Sequence, residues 1–396
     1  MLANPAYQRL FAAQTISRWG DTFNTVALVV LVFRLSGSGL GVSGVVIAEI
    51  LPVLALAPLA GAVVDRLPAV RVMVAADLWR AALAALLTLV DQHVAAVYAV
   101  AFGLAAGGVF FNPAAAATLP RLVATDELVT ANSALWSAAV TSQIALAPLA
   151  GALVAAVGVA PAFLVNAASF AASALLLAGL HPPPTIASAI EPDGSWARRI
   201  ADGAWLLVAD RLLRLLGAVQ LLAALSAGAT SALLVVLAGR RLQVGPGGFG
   251  LLLGAIGTGA ALGPLALTRL PGTSNPRRPT LVFGPLLLRG LVDLVLASTR
   301  SLALALGALV AYGVGTSTGM VTYNALLQAE VAPQRRGRVF AGFDLLWQAG
   351  RLASLALGGW IADALGIRAV YYLGGVLLLA AGTIGLAGVR ALRRPA

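Results

Sequence analysis

The sequence predicts an all-α membrane protein, with twelve transmembrane helices in two six-helix bundles. Three observations carry this prediction. The 396 residues are 60% hydrophobic and only 10% charged, with a mean hydropathy of +0.93. Apolar runs near the roughly 20 residues needed to cross a bilayer recur along the whole chain. Weak internal similarity relates its two halves. A soluble domain carries roughly 25% charged residues. This chain cannot cover itself that way, so its surface faces lipid.

In the first half the apolar runs lie at 10–33, 41–64, 70–90, 94–117, 131–157 and 160–180. In the second they lie at 214–238, 246–268, 279–298, 301–327, 337–362 and 366–389. The first run contains Arg18 and Asp21 and lacks a cleavage pattern, so it reads as a retained helix rather than a signal peptide. The longest polar segment, 181–213, opens with Pro182-Pro183-Pro184 and carries Trp196-Ala197-Arg198-Arg199. That pattern suits an amphipathic helix at the membrane surface, linking an N-terminal bundle, 1–180, to a C-terminal one, 214–396.

All 26 basic residues are arginine, against 15 acidic residues, for a formal charge of +11. Seventeen arginines fall in segments on one side of the membrane and five on the other, which by the positive-inside rule makes both termini cytoplasmic. The expected location is a bacterial-type cytoplasmic membrane. No basic patch sits on a soluble domain, so nucleic acid is not an expected partner. The chain has no cysteine, and its two histidines, His93 and His181, fall in loops, so no metal site is expected.

Similar offsets relate the halves. Gly158 with Ala162-Phe163 maps onto Gly366 with Val370-Tyr371 at 208 residues, and Arg80 onto Arg289 at 209. Asn132 maps near Asp344 at 212, and Arg66 onto Arg269 at 203. A duplicated six-helix unit follows, an architecture common among transporters.

Charges inside the spans mark function most sharply, because each costs at least roughly 2.5 to 3.5 kcal/mol at mid-bilayer. Asp21 lies roughly 16 Å into the first helix and Glu49 roughly 12 Å from an end of the second, both near the midplane of a core roughly 30 Å thick. Gln14, Arg18, Asp21, Asn24 and Thr25 recur at three- and four-residue steps, a polar stripe suited to an aqueous cavity. A carboxylate there can load and unload a proton as access alternates, which makes Asp21 and Glu49, with Arg18 beside them, the proton-coupling candidates. The alternative for Asp21 is a fixed ion pair with Arg18 at i, i+3. Asp77 with Arg80, and Arg289 with Asp293, are spaced to neutralise each other on their own helices as structural pairs. Asp344, Gln348 and Arg351 share one helix face, and the repeat counterpart of Arg351 is the neutral Gln143. Gln14, Asn24, Asn112, Gln143, Asn324, Gln328, Gln348 and Arg351 are the candidate substrate-cavity residues.

The loop after the second run reads Gly61-Ala-Val-Val-Asp65-Arg66-Leu-Pro-Ala-Val-Arg71. With Ser17-Arg-Trp-Gly-Asp21, Phe111-Asn-Pro-Ala, Ala162-Phe-Leu-Val-Asn166-Ala-Ala-Ser169-Phe170 and Gln328-x4-Pro333 followed by Arg336-Gly337-Arg338-Val339, the chain resembles the major facilitator superfamily, in the branch of enterobactin exporters and macrolide efflux proteins. Gly61, Asp65 and Arg66 fit that superfamily's loop motif; Pro68, Ala69 and Val70 depart from it, and Arg71 falls one place late. The resemblance implies that Asp65 faces the start of helix 11, where Arg338 and Asp344 are candidates to pair with Asp65 and Arg66 in a cytoplasmic gate. It also implies a helix 5 bend, of which Pro148 and Gly151 remain. The small residues Gly254, Gly257, Gly259 and Gly263 read as a close-packing face.

The expected function is proton-coupled export of an amphipathic or hydrophobic small molecule, with a proton gradient in place of any cofactor. The partners are then the substrate, protons and the bilayer, and the chain acts as a monomer. Uptake by symport and lysolipid flipping are alternatives on the same fold. A receptor or an intramembrane enzyme is the alternative from another class, but a hydrolase would need a His- or Ser-based constellation, and both histidines fall in loops.

Overall fold

The computed structural model describes residues 4–182, 209–269 and 278–392. Six long helices come first: α1 Pro5–Ser36, α2 Gly39–Arg66, α3 Ala69–Val90, α4 Val94–Thr118, α5 Leu128–Val157 and α6 Ala160–Ala178. Next come α7 Arg211–Ala232, α8 Pro246–Arg269, α9 Pro279–Ser298, α10 Leu302–Glu330, α11 Pro333–Ala364 and α12 Ile367–Leu392. A short helix, Leu234–Val236, and a π-helical turn, Leu237–Arg241, continue α7, so thirteen α-helical segments are present among the described residues. The run expected at 214–238 is therefore broken rather than continuous. The expected amphipathic helix at 181–213 falls almost wholly outside the described residues.

Ten of these helices are long and apolar enough to cross a membrane. The long helices outside that set are α1 and α11. Arg9, Arg18, Asp21 and Arg34 dilute the first, and Arg335, Arg336, Arg338, Asp344, Arg351 and Asp363 the second. Both are among the helices that border the cavities described below.

Helix ends are closed by local chemistry. Asn4 Oδ1 accepts from the Ala6 and Tyr7 amides at 2.9 and 3.4 Å, and Asp210 Oδ1 from Leu212 and Leu213 at 2.8 and 2.9 Å, each capping a helix start. Arginines close the opposite ends. Arg241 donates to Ser298 O at 2.7 Å and Thr299 O at 3.0 Å, and Arg368 to Ala297 O at 3.1 Å, holding the last carbonyls of α9. Arg336 does the same for α10 through Gln328 O at 2.6 Å and Val331 O at 3.1 Å.

The chain forms two compact units. The first comprises Met1–Gly37, Gly44–Ile190 and Gly245–Gly254, and the second Ser38–Ser43, Glu191–Val244 and Ala255–Ala396. In unit 1, α1 packs on α5 and α6, and α3 on α4 and α6. In unit 2, α7 packs on α11 and α12, and α9 on α10 and α12. The pairing is the same when each helix number is raised by six. The turns before α6 and α12 agree in detail, since Gly158 and Gly366 both take φ of 88°, a backbone state that costs other residues about 1–3 kcal/mol. Just beyond each turn Phe163 and Tyr371 are fully buried.

Each unit has its own apolar core. Tyr7, Leu10, Met73, Phe111 and Leu177 pack together in unit 1, and Leu216, Phe283, Leu326, Val339 and Phe343 in unit 2. Small residues permit close backbone approach. A Cβ on Gly151 would meet Pro246 O at 2.5 Å, and one on Gly254 would meet Pro148 Cγ at 2.9 Å, so within unit 1 Pro148 and Gly151 of α5 serve tight packing against Gly245–Gly254.

Candidate functional site

The polar stripe of α1 opens onto a cavity of about 640 Å³ inside unit 1, a volume within the usual range for small-molecule sites. Gln14, Ser17, Arg18, Asp21 and Asn24 form one wall. Glu49 and Gly61 of α2, Arg80 of α3, Asn112 of α4, and Asn166 and Phe170 of α6 form the others. Along this stripe Asn24 is buried, Gln14 and Asp21 are half-buried, and Arg18 is exposed.

Arg80 organises this cavity. It donates through Nη2 to Asp77 Oδ1, while Ser173 Oγ donates to Asp77 Oδ2 at 2.6 Å. Its guanidinium lies over the Phe170 ring at 4.2 Å and the Phe111 ring at 4.7 Å. Asp77 is fully buried behind it. Arg80 of the pair also borders the cavity that Asp21 lines. Arg18 and Asp21 close no ion pair with each other. Asn24 Oδ1, Asn166 Nδ2 and Arg80 Nε are buried without a hydrogen-bond partner among the described residues, an arrangement native interiors rarely tolerate away from functional sites.

A smaller cavity of about 310 Å³ flanks α1 on its α5 side, lined by Arg18, Asp21, Thr25, Trp136, Gln143 and Ala147 among others. Asp21 therefore borders two cavities, and Arg18 and Thr25 line both.

Unit 2 holds a cavity of about 390 Å³. Its polar lining includes Gln220 of α7, Arg289 of α9, Tyr323 and Asn324 of α10, and Asp344 of α11. Phe343 and Trp347 supply aromatic surface, with Phe343 edge-on to Tyr323 at 5.9 Å between centroids. The expected Arg289–Asp293 pair does not close. Arg289 Nη2 instead donates to Tyr312 Oη at 3.0 Å, with the guanidinium 4.8 Å from that ring, and Asp293 accepts from Ser226 Oγ at 3.4 Å. The i, i+4 spacing allowed a pair, but tertiary partners on α10 and α7 draw the two charges apart.

The remaining sequence candidates scatter. Asp344, expected at a gate, borders the unit 2 cavity, whereas Gln328, Gln348 and Arg351 do not line it. Asp65, Arg66 and Arg71 are exposed around the α2–α3 turn in unit 1, and Arg338 is exposed in the first turns of α11 in unit 2. Gln220, Tyr323 and Trp347 were not among the sequence candidates. One signal existed for Gln220: it stands 206 residues after Gln14, near the repeat offset, as Asn324 stands 212 after Asn112. Among the described residues no group of three or more His, Cys, Asp and Glu gathers in a way that suits a metal ion.

A family model described as "Transmembrane secretion effector" matches residues 1–392. The chain is 27% identical over 394 residues to the uncharacterized MFS-type transporter YfiS of Bacillus subtilis (strain 168), covering 96% of this chain and 92% of that one. In structure it is similar to a bacterial homologue of the iron transporter ferroportin in an inward-facing state, with a TM-score of 0.76 and 18% identity across 97% of this chain and 98% of that one. It is also similar to the nucleoside transporter NupG, with a TM-score of 0.79 and 12% identity across 98% of this chain and 100% of that one. At such identities the structural likeness is one of fold.

Proposed function

Because the chain belongs to the transmembrane secretion effector family of major facilitator superfamily transporters, we propose that it exports an amphipathic small molecule by proton-coupled alternating access. The observation that carries this reading is the unit 1 cavity, whose lining brings Asp21 and Glu49 together with Arg18 and Arg80. A carboxylate so placed loads a proton from one side and releases it to the other as access changes. Roughly 150 mV of proton-motive force supplies about 3.5 kcal/mol per proton. That sustains a gradient of a few hundredfold.

In this reading α1 and α11 also span the bilayer and bring the count to twelve, their polarity being the cost of lining the transport path. The arginine bias supports cytoplasmic termini in a bacterial-type cytoplasmic membrane, and in this reading one chain suffices for transport.

The test offers cationic, zwitterionic and anionic amphipathic dyes to the outside of inverted membrane vesicles energised by a proton gradient. Wild type accumulates at least one dye, and collapse of the gradient abolishes the accumulation. Asp21→Asn or Glu49→Gln loses gradient-driven accumulation and keeps exchange of dye for dye. Wild-type accumulation in both variants overturns the assignment of the coupling carboxylates.

A further inference from the structure

The repeated arginines of the two units have diverged in a way that bears on the ligand. Arg80 and Arg289 stand 209 residues apart at corresponding places in α3 and α9. Arg80 is tied directly to Asp77, one turn before it, so its charge is met within its own helix. In unit 2 the carboxylate lies one turn after the arginine, at Asp293, and the two close no direct ion pair. Asp293 accepts from Ser226, and its Oδ2 would lie 3.3 Å from a Cβ on Gly374 of α12. Arg289 donates to Tyr312 and lines the cavity. It is 8% exposed, and its Nε has no hydrogen-bond partner among the described residues.

A guanidinium held within a lipid-embedded bundle and met by a phenol rather than a carboxylate has unused capacity for an anion. The same cavity carries one carboxylate, Asp344, which is exposed where Arg289 is buried. Aromatic surface from Tyr323, Phe343 and Trp347 shares the wall with these charges. We propose that the unit 2 cavity is a binding site for an aromatic zwitterionic amphiphile, its anionic group on Arg289, its cationic group toward Asp344 and its ring system against these aromatics. The inference rests on the transporter reading for its meaning, since it names the class of molecule carried.

The two charges are not equal in weight. A ligand anion beside the buried Arg289 interacts in a low dielectric, whereas the exposed Asp344 is screened by water. The expected order of affinity is zwitterion first, anion second and cation last. A charge-assisted contact of this kind corresponds to about 10- to 100-fold in affinity.

Three matched probes test this: 2-naphthylalanine, its N-acetyl derivative and its methyl ester, used at about pH 6, where they are mainly zwitterion, anion and cation. Calorimetric titration of the purified full chain in detergent is expected to give the stated order. Arg289→Gln is expected to weaken the zwitterion and the anion about 10- to 100-fold and to leave the ester unchanged. Asp344→Asn, at an exposed position, removes the advantage of zwitterion over anion. Equal or tighter binding of the ester by wild type overturns the proposal, as does absence of binding by all three probes at millimolar concentration. Should Arg289→Gln fail to fold, the wild-type order and Asp344→Asn still decide. The two readings fail separately. The predicted order without proton-driven flux sinks only the transport mechanism, whereas proton-driven export with a preference for cations sinks only the zwitterion site.

Discussion

Asp77 and Arg80 show how a single ion pair can hold one site together. Removing one partner of a buried ion pair strands the other charge, which typically costs about 3–5 kcal/mol. Asp77→Ala is therefore expected to destabilise the protein by about that much, read as a lowered unfolding midpoint in detergent. Ser173→Ala, which deletes only the hydroxyl donor to Asp77, is expected to cost about 1 kcal/mol. If Asp77→Ala unfolds like wild type, the pair is not the anchor of this cavity. Asp293→Ala is a useful contrast, because Arg289 keeps its contact with Tyr312 when the carboxylate is gone. Its cost is expected to be smaller than that of Asp77→Ala in the same assay. The sequence placed all four charges on two helices but could not say which pair closes. Helical spacing permits both pairs, and the decision lies with Tyr312 and Ser226, on other helices and far away in the chain.

Among elements, the turns before α6 and α12 are the most direct evidence of duplication. Gly158 and Gly366 share φ of 88°, and neither has any atom within 4 Å of where a Cβ would stand. The penalty for Gly158→Ala or Gly366→Ala is thus conformational rather than steric, about 1–3 kcal/mol and similar at both sites. Markedly unequal losses in unfolding midpoint would contradict the equivalence of the turns. Gly151 differs, because a side chain there meets the Pro246 carbonyl. Gly151→Leu is expected to impair folding outright, read as loss of monodisperse protein on size exclusion.

Helix positions were largely legible, since hydropathy is a local property and lipid enforces it over whole turns. The break at Leu233 and the π-helical turn of Leu237–Arg241 were not, because that stretch is as apolar as a regular helix and its residues Leu233–Ala238 are buried by neighbours. The polar stripe of α1 was legible because five polar residues share one face. Gln220 was missed because a lone glutamine among leucines carries no periodic signal; only its distance from Gln14 gives it away.

At the scale of the whole molecule, the two repeats keep a common helix pairing and differ in their cavity residues. The neutral polar frame is shared, with Gln14 answered by Gln220 and Asn112 by Asn324 across the two cavities. The carboxylates are not shared: 206 residues beyond Asp21 stands Ala227, a buried alanine of α7. On the proposed account unit 1 carries the proton and unit 2 reads the charges of the cargo. Asp21→Asn should then alter coupling while leaving the affinity order of ligands intact, and Arg289→Gln should do the reverse. A variant that changes both together would show that the two functions share one site.

The central claim, that carboxylates in the unit 1 cavity take up protons from the aqueous phase, is testable without knowing the substrate. Proteoliposomes adsorbed on a solid-supported membrane are given a step in pH, and the transient current from proton binding is recorded. Wild type is expected to give a transient that disappears in the Asp21→Asn, Glu49→Gln double variant. A silent wild type, or a transient that survives in the double variant, contradicts the account.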